Sequence, residues 1–298
     1  MLYNQMQTLV REREKEENMR TIHTESITKE IKEMCIEANI HLEKDVENRL
    51  LEAAGKEESP VGTQILNQLK DNLVIAKEQQ IPICQDTGMA VVFVEMGQEV
   101  HVEGCALEDA INEGIRQGYT EGYLRKSVVG DPIIRENTKD NTPGIIHYSI
   151  VPGENITITV APKGFGSENM SKIYMLKPAD GVEGVKEAVL DAVRNAGPNA
   201  CPPMVVGVGI GGTFEKCALL AKKALTRDIE THNAISYVKE LEEELLTKIN
   251  NLGIGPGGLG GRITALGVNI ETYPTHIAGL PVAVNICCHV NRHIKRVL

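Results

Sequence analysis

The sequence MVVGVGIGGTF at residues 204–214 decides the fold class. Residues 204–210 form an apolar run of strand length, and glycines end that run. A helical pattern follows at once over residues 214–225. A buried strand that turns directly into a helix is typical of a sheet covered by helices. This stretch therefore predicts an α/β architecture.

Segments on both sides of this stretch extend the same architecture. Apolar or alternating patterns predict further strands at residues 89–96, 144–161, 263–271 and 281–287. Helical spacing of apolar residues predicts helices at residues 106–119, 183–195 and 235–250. We therefore expect a mixed α/β (α+β) fold, in which mixed β-sheets are flanked by helices.

The first quarter of the chain is predicted to be helical. Apolar residues recur at helical spacing after Thr24, a residue type that caps helices, and in two later segments around Val46 and Ile65. Residues 1–18 end in a charge-dense run, so we expect a charged N-terminal extension that is disordered or helical. Because no Pro-, Gly- and Ser-rich linker divides the rest, residues 19–298 are predicted to form one domain.

The composition is that of a globular protein and excludes several function classes. The 298 residues carry 31 Lys and Arg against 41 Asp and Glu, a formal net charge of -10. Such a chain, without a Lys and Arg cluster, is not expected to bind nucleic acid or an anionic membrane surface. No apolar run approaches the roughly 20 residues of a membrane span, and the N-terminus lacks a signal-peptide core. We therefore expect a cytoplasmic protein that binds small molecules or protein partners.

Three glycines, Gly207, Gly209 and Gly212, match the G-x-G-x-x-G pattern of dinucleotide-binding proteins. Asp228 follows at a suitable distance, but the strand that should precede it is not predicted. A tight glycine turn between strand and helix explains the pattern more simply. A nucleotide-binding protein is therefore only a distant alternative.

Seven cysteines in a chain without an export signal argue against a disulfide framework. Cys35 and Cys217 lie on apolar helical faces and are interpreted as core residues, while Cys105 and Cys287 have no assigned role. The other three lie in a polar turn, before a Pro-Pro pair and at a strand end, and these are Cys84, Cys201 and Cys288. Three such thiols are the minimum set for a metal cluster.

The spacing of these three cysteines limits the kind of metal site. The chain contains no C-x-x-C pair, which structural zinc sites and ferredoxin-type clusters usually use. Widely separated cysteines suit instead a cubane cluster with one iron free of protein ligands. Such an iron can act as a Lewis acid toward a substrate hydroxyl and carboxylate. On spacing alone, scattered buried thiols without a metal are the simpler alternative.

Four motifs in order resemble the class I, iron-sulfur-dependent fumarate hydratases, and they are Pro82–Gly88, Lys163–Asn169, Asn199–Pro203 and His276–His289. The resemblance extends from about residue 20 to the end of the chain. The chain stops near where single-chain members of the family continue into a second domain, so it resembles the alpha subunit of the two-subunit form. The resemblance implies a separate beta subunit as partner and a dimer of heterodimers.

The resemblance also implies roles for individual residues. The ligands of a [4Fe-4S] cluster that binds a dicarboxylate substrate would be Cys84, Cys201 and Cys288. The residues that match catalytic positions of the family are Asp86 and His276. Those that match substrate-binding positions are Gln85, Arg125 and Gly166.

Each of these polar residues also has a simple structural interpretation. Asp86 could cap the turn at Thr87, and Arg125 could pair with a nearby acid such as Glu121. His276, in a loop after a proline, could be an ordinary hydrogen-bonded loop histidine. The family resemblance favours the functional roles over these alternatives.

The activity implied by the resemblance is the reversible hydration of fumarate to L-malate, a hydro-lyase reaction of the tricarboxylic acid cycle. The carbon-hydrogen base and further carboxylate-binding groups would come from the beta subunit, so the alpha subunit alone is expected to be inactive. The alpha subunit of L(+)-tartrate dehydratase, built on the same fold and cluster, is the closest alternative. An iron-sulfur electron-transfer protein is a more distant one.

Overall fold

The computed structural model describes residues 19–298, so the predicted charged extension at residues 1–18 lies outside the described residues. The described chain divides into two compact units. The first contains the residues up to Ala38, Met89–Pro162 and Ile294–Leu298, and the second contains Asn39–Gly88 and Lys163–His293. The prediction that residues 19–298 form one domain stays a prediction.

The described residues form eight α-helices. They are α1 (Thr24–Ile40), α2 (Lys44–Lys56), α3 (Pro60–Gln79), α4 (Leu107–Glu121), α5 (Phe165–Glu168), α6 (Gly181–Ala196), α7 (Phe214–Ala224) and α8 (Ser236–Asn250). Helix α3 begins where Ser59 accepts a hydrogen bond from the Gly62 amide at 3.2 Å, next to a proline in the first helical position. Helices α1 to α3 confirm the predicted helical first quarter.

Ten strands form within residues 19–298. They are β1 (Arg20–His23), β2 (Met89–Gly97), β3 (Val100–Glu103), β4 (Ile145–Val151), β5 (Ile156–Lys163), β6 (Lys172–Leu176), β7 (Met204–Gly211), β8 (Ala265–Tyr273), β9 (Leu280–Cys287) and β10 (Ile294–Val297). They form the pair β1-β3 and two four-stranded sheets, ordered β10-β5-β2-β4 and β6-β9-β7-β8. Both sheets combine parallel and antiparallel pairs, which confirms the predicted mixed sheets.

The first unit packs α1 and α4 against the sheet that contains β2 and β5. Ile27 and Ile31 of α1 meet Ile111 and Ile115 of α4 in one buried cluster, and Ile158 of β5 contributes to it. These apolar residues recur every three or four positions in the helices and every second position in the strand. The residues at the apolar positions of the sequence pattern are therefore the residues buried in this core.

The second unit has its sheet between two helical layers. Val206 and Val208 of β7 face α6 and α8, which bury a large apolar cluster against the sheet. The alternate residues of β7 face α7 on the other side. Helices α2 and α3 pack with Val205 and Leu266 at the edge where β7 and β8 begin.

Gly207 and Gly209 allow α7 to approach β7 very closely. A Cβ atom on Gly207 would lie 2.3 Å from the Ala221 carbonyl oxygen, and one on Gly209 would lie 2.1 Å from the Cys217 carbonyl oxygen. Asp228 forms a turn, in which its Oδ1 accepts the Glu230 amide at 2.7 Å. Helix packing and turn formation therefore account for the residues that suggested nucleotide binding.

The strands β1, β3, β6 and β10 are not predicted by the sequence patterns. Each has only four or five residues.

None of the helices formed by residues 19–298 combines the length and the apolar character that crossing a bilayer requires. The short helix α5 is not predicted either, and the remaining helices and strands lie close to the predicted ranges.

Candidate functional site

Two candidate cysteine ligands lie at the same end of the second-unit sheet. Cys201 stands three residues before β7, and Cys288 directly follows β9. The two strands are antiparallel neighbours in which Val205 is paired with Cys287, so the start of β7 lies beside the end of β9. We call this edge of the sheet the cysteine end.

A hydrogen bond joins the two cysteine segments. His289 Nδ1 lies 3.1 Å from the carbonyl oxygen of Cys201, and because a carbonyl can only accept, Nδ1 carries the proton. Burial lowers the pKa of His289. The hydrogen bond to Cys201 raises this pKa and only partly offsets burial, while the charge of Arg292 lowers it further, so the ring is neutral at pH 7. The residue after Cys288 thus holds the Cys201 loop in place.

The third cysteine, Cys84, belongs to the same neighbourhood. Cys84 and Cys288 are both half-buried and both pack against the apolar cluster that includes Val205 and Ile83. The pKa of Cys201 is raised first by burial and then by the charge of Cys84. Cys84, Cys201 and Cys288 all carry free thiols.

Backbone hydrogen bonds fix the loop that carries Cys201. Cys201 ends a 3-10 helix, Gly197–Ala200, and has a left-handed backbone with φ 51°. Its amide donates to the Pro198 carbonyl at 3.1 Å, and the Pro202 carbonyl accepts the Gly257 amide at 2.8 Å. A non-glycine residue in this conformation persists only where its surroundings fix it. The Cys201 thiol is exposed on a loop that is held on both sides.

Cys287 and Cys288 differ in environment. Cys287 ends β9 and is buried in the core, while Cys288 lies beyond the strand and is half-buried. Pairing with the Cys288 thiol lowers the pKa of Cys287 against the effect of burial, and nearby cations, Lys163 first, lower it further. The same pairing raises the pKa of Cys288. Cys288 remains the member of the pair that can be reached from solvent.

Asp86 ties the Cys84 turn to helix α5. Its Oδ1 accepts the Gly88 amide at 3.1 Å, which is the turn cap expected from the sequence. Its Oδ2 accepts the Phe165 amide at 2.9 Å, and its carbonyl accepts a hydrogen bond from Arg292. Asp86 therefore has both a structural bond and a position beside the Lys163–Asn169 motif.

Gln85 and Gly166 flank this contact. Gln85 is exposed, and its Oε1 lies 3.4 Å from the Cys84 sulfur. Gly166 is exposed in the single turn of α5, where a Cβ atom would have only the Asn199 carbonyl oxygen nearby, at 3.9 Å. Helix α5 packs against the 3-10 helix that leads to Cys201. The structure thus brings Gln85, Asp86 and Gly166 to the cysteine end.

Next to α5 lies a partly buried charged cluster that the sequence does not predict. Glu168 forms ion pairs with Lys163 at 3.3 Å and with Lys222 at 2.5 Å, and it accepts a hydrogen bond from Asn285 at 3.0 Å. Burial raises the pKa of Glu168, but the two lysines and the hydrogen bonds outweigh burial, so the pKa lies below its usual value. This cluster joins α5, α7 and β9 behind the cysteine end.

His276 lies at the opposite end of the same sheet, which we call the histidine end. It occupies the loop between β8 and β9, where the Thr275 hydroxyl donates to the Gly212 carbonyl at 2.9 Å just beyond β7. Its Nδ1 accepts the Ala278 amide at 3.2 Å, and its side chain is exposed. The strand β9, Leu280–Cys287, is roughly 23 Å long at about 3.3 Å per residue, and it separates the His276 loop from Cys288.

Arg125 lies in the first unit, on the loop after α4, and it is exposed. The predicted partner of this residue, Glu121, pairs with Lys32 at 3.1 Å. The contacts described for the cysteine end belong to the second unit, so they do not include Arg125.

Comparison with known proteins identifies the relatives of the chain. The model of the Fumerase family, described as fumarate hydratase, matches residues 28–297. The chain belongs to the fumarate hydratase family. It is 46% identical over 272 residues to the "Putative L(+)-tartrate dehydratase subunit alpha" of Methanocaldococcus jannaschii, a match that covers 89% of this chain and 95% of the relative. It is 32% identical over 251 residues to the L(+)-tartrate dehydratase subunit alpha of Escherichia coli K12, covering 83% and 82%.

The donor set of this fumarate hydratase family chain fits a cluster better than a single metal ion. Within residues 19–298, no three His, Cys, Asp or Glu side chains converge closely enough to hold one ion. A cubane binds each cysteine at a different iron, so its ligands stay apart from one another. The Asp86 amide lies 3.4 Å from the Cys84 sulfur, and a donor in that position stabilises a thiolate. Three free thiols around one edge of the sheet meet this requirement.

Four residues of this site lie outside the sequence motifs or have no predicted role within them. Lys163, Glu168 and His289 lie inside the family motifs, but their partners are distant in sequence, as Lys222 is 54 positions from Glu168. Arg292 lies just beyond the last motif and contacts Asp86 across 206 positions. A sequence motif identifies one segment of the chain, whereas these contacts join segments that are distant in sequence and become neighbours only in the fold.

Proposed function

We propose that the chain is the alpha subunit of an iron-sulfur hydro-lyase that hydrates fumarate reversibly to L-malate. The single observation that carries the proposal is the meeting of the Cys84, Cys201 and Cys288 segments at one end of the sheet, with Asp86 bonded to the first turn of α5. Membership of the fumarate hydratase family supports the reaction type.

The cluster is proposed to be [4Fe-4S], held by Cys84, Cys201 and Cys288. When bound, it would supply a Lewis-acidic iron for the substrate hydroxyl and carboxylate. The surrounding protein suits an anionic group, because Arg292 donates a hydrogen bond to the Asp86 carbonyl and so places a positive charge beside the Cys84 turn.

Asp86 is the proposed proton carrier of this chain. Its two oxygens each accept one backbone hydrogen bond, from Gly88 and Phe165, and each keeps further acceptor capacity. The bonds fix the carboxylate, which is what a general acid or base needs in order to act at a defined atom. Gln85 and the Gly166 amide are proposed to bind the substrate beside it, and Arg125 to bind a carboxylate bidentately.

The proposed partner is a separate beta subunit, which supplies the carbon-hydrogen base. Support comes from the relatives, whose names designate them as alpha subunits and of whose length 82% to 95% is matched. We propose that the enzyme is a cytoplasmic dimer of heterodimers and that the alpha subunit alone is inactive.

His276 is proposed to act in the site of a second copy of this chain. Its own Cys288 lies beyond the far end of β9, a strand roughly 23 Å long at about 3.3 Å per residue. A side chain cannot cross that distance, but a dimer of heterodimers offers a second cysteine end. Exposure of His276 on a hydrogen-bonded loop supports this arrangement.

The second candidate function is L(+)-tartrate dehydration. Both relatives described above carry that name. Tartrate and malate are both 2-hydroxy dicarboxylates that lose water next to a carboxylate, so the same residues serve either substrate.

The test is anaerobic purification of the chain with its beta subunit, followed by iron and sulfide analysis and turnover of four substrates. We expect a brown protein with about four irons per alpha chain, and faster turnover of fumarate and malate than of tartrate or mesaconate. Faster turnover of tartrate would select the second candidate. A colourless protein that turns over none of them would refute the hydro-lyase proposal.

A further inference from the structure

Arg292 is a buried arginine in the segment that follows β9, and it is only 4% exposed. The segment is held in place, because Val290 is buried and the Asn291 side chain donates to the Leu225 carbonyl at 2.9 Å. A guanidinium stays charged under all ordinary conditions. A permanent positive charge therefore stands in a fixed segment, four residues after Cys288.

Arg292 also contacts the turn that carries Cys84. Its Nη2 donates a hydrogen bond to the Asp86 carbonyl, across 206 positions of the sequence. The Asp86 amide lies 3.4 Å from the Cys84 sulfur, so a single residue joins the guanidinium to that thiol. The carboxylate of the same residue is bonded elsewhere, since its two oxygens accept the Gly88 and Phe165 amides. Arg292 therefore links the Cys84 turn to the segment after β9.

The charge of Arg292 acts on the Cys288 side of the site as well. Pairing with Cys287 and burial raise the pKa of Cys288, and the charge of Arg292 opposes both. Burial lowers the pKa of the next residue, His289, and the charge of Arg292 lowers it further. The guanidinium therefore lies within electrostatic reach of the Cys84 turn and of Cys288.

The expected effect of this charge is on the reduction potential of a cluster held by the three cysteines. A cubane held by three thiolates carries negative charge, and an added electron makes it more negative. A positive charge nearby therefore favours the reduced form over the oxidised form, and it does so more strongly where burial limits screening by water. Net charge is one of the factors that set the reduction potentials of such clusters.

We propose that Arg292 raises the reduction potential of the cluster and slows oxidation of the cluster through its positive charge. This inference rests on the proposed function, which requires the cluster. The step concerned is the transfer of one electron from the cluster to an external one-electron oxidant, and no bond of the protein forms or breaks in it. Arg292 acts through the cluster, so it is not a catalytic residue.

The experiment uses the anaerobically reconstituted alpha chain with its beta subunit. The midpoint potential of the cluster is measured by dithionite titration followed by electron paramagnetic resonance. Arg292→Gln removes the charge but keeps an amide donor for the Asp86 carbonyl, whereas Arg292→Lys keeps both a charge and a donor. We expect the potential to fall in the glutamine variant and to stay near the wild-type value in the lysine variant. Ferricyanide, which takes up one electron, should bleach the glutamine variant at least about 10-fold faster than the wild type.

The matched control is Lys186→Gln, which also removes one largely buried cation. Lys186 forms ion pairs with Glu183 at 2.8 Å and with Glu244 at 2.9 Å. It lies in the second turn of α6, a helix whose first residue, Gly181, lines the same cavity as Leu280 at the histidine end. Because this charge lies far along the sheet from the cysteines, the control should leave the midpoint potential and the bleaching rate unchanged.

Iron content and thermal unfolding are measured for every variant. A wild-type potential in an iron-containing Arg292→Gln variant would overturn this inference alone. Equal falls in the glutamine and lysine variants would also overturn it, since the geometry of the bond to Asp86 would then be responsible and not the charge. The lysine variant decides even if the glutamine variant takes up no iron, because a lowered potential despite the retained charge contradicts the proposal. A wild-type complex without iron would refute the proposed function together with this inference.

Discussion

The cysteine end and the histidine end of the second-unit sheet have opposite characters. At the cysteine end, His289, Asp86 and Arg292 connect separate loops through hydrogen bonds, and Lys163 is only 5% exposed. At the histidine end, His276 sits on an exposed loop beside Ile277, which is 92% exposed. The cysteine end holds its side chains in place around a site. The histidine end leaves His276 exposed on a loop that another molecule can contact.

This difference separates the two kinds of catalytic residue proposed for the chain. Side chains that hold a cluster must be fixed relative to one another before the substrate binds. A histidine on an exposed loop acts only where another surface meets it. The contrast therefore predicts that substitutions at the two ends have different consequences for cluster binding and for activity.

The largest effect is expected at the cysteine end. Cys84→Ser, Cys201→Ser or Cys288→Ser should each lower the iron content by more than half and the turnover by at least about 100-fold, because a lost ligand costs the metal site directly. Iron analysis and turnover with the beta subunit measure both quantities. Cys105→Ser, an exposed cysteine in the first unit, is the control and should change neither. A serine variant that keeps its full iron content would remove that cysteine from the ligand set.

His276→Asn should leave the iron content unchanged and lower kcat by about 100-fold, the effect of losing a group that transfers a proton.

Mixing His276→Asn chains with Cys84→Ser chains tests whether His276 and the cysteine end of one active site belong to different copies. Random assembly of His276→Asn and Cys84→Ser chains in symmetric dimers should restore about a quarter of the wild-type sites. Mixtures that stay inactive would show that His276 does not serve a neighbouring copy.

The misplacement of His276 relative to Cys288 shows where sequence reasoning ends. Both residues belong to one motif of fourteen positions, His276–His289, which suggests proximity. The extended strand β9 occupies most of that motif, so residues at its two ends are close in sequence but lie at opposite ends of the sheet. The motif identifies both residues, but only the strand assignment says that they lie apart.

The elements that could be predicted are those whose periodicity follows from burial on one face. Helices α1 and α4 repeat apolar residues often enough for the pattern to be read, and β7 is apolar throughout its first seven residues. Strands β1 and β10 have only four residues each, too few for a period of two to emerge. Their pairing depends on segments far away in sequence, such as β10 with β5.

A smaller effect is expected from the charged cluster behind the cysteine end. Glu168→Gln leaves Lys163 and Lys222 without their shared carboxylate, and we expect a loss of about 2 kcal/mol in the free energy of unfolding for this partly buried group. Urea denaturation of the alpha chain measures it. The control is Glu183→Gln. It removes an ion pair between Lys186 and a carboxylate that is largely exposed, so it should destabilise the chain much less than Glu168→Gln. Equal losses from both variants would mean that the buried cluster does not stabilise this end specifically.

The smallest effect concerns Glu57, whose carboxylate accepts the amides of Ile263 at 2.7 Å and Arg262 at 2.9 Å. These bonds hold the end of the glycine-rich loop whose Gly257 amide donates to Pro202 beside Cys201. Burial raises the pKa of Glu57, but the backbone hydrogen bonds outweigh burial and bring it below its usual 4.5.

A carboxylate with a depressed pKa in the folded state contributes stability above its unfolded pKa and loses that contribution as the pH falls through the folded value. The stability of the wild type should therefore exceed that of Glu57→Gln by about 1 kcal/mol at pH 7, and the difference should shrink as the pH falls below 4.5.

Hydrogen exchange of the same variant compares the two ends of the sheet. Glu57→Gln should speed amide exchange in residues 199–204 and leave residues 273–279 unchanged, because the bonds it loses support only the cysteine end. Equal acceleration at both ends would mean that the two ends of the sheet open together.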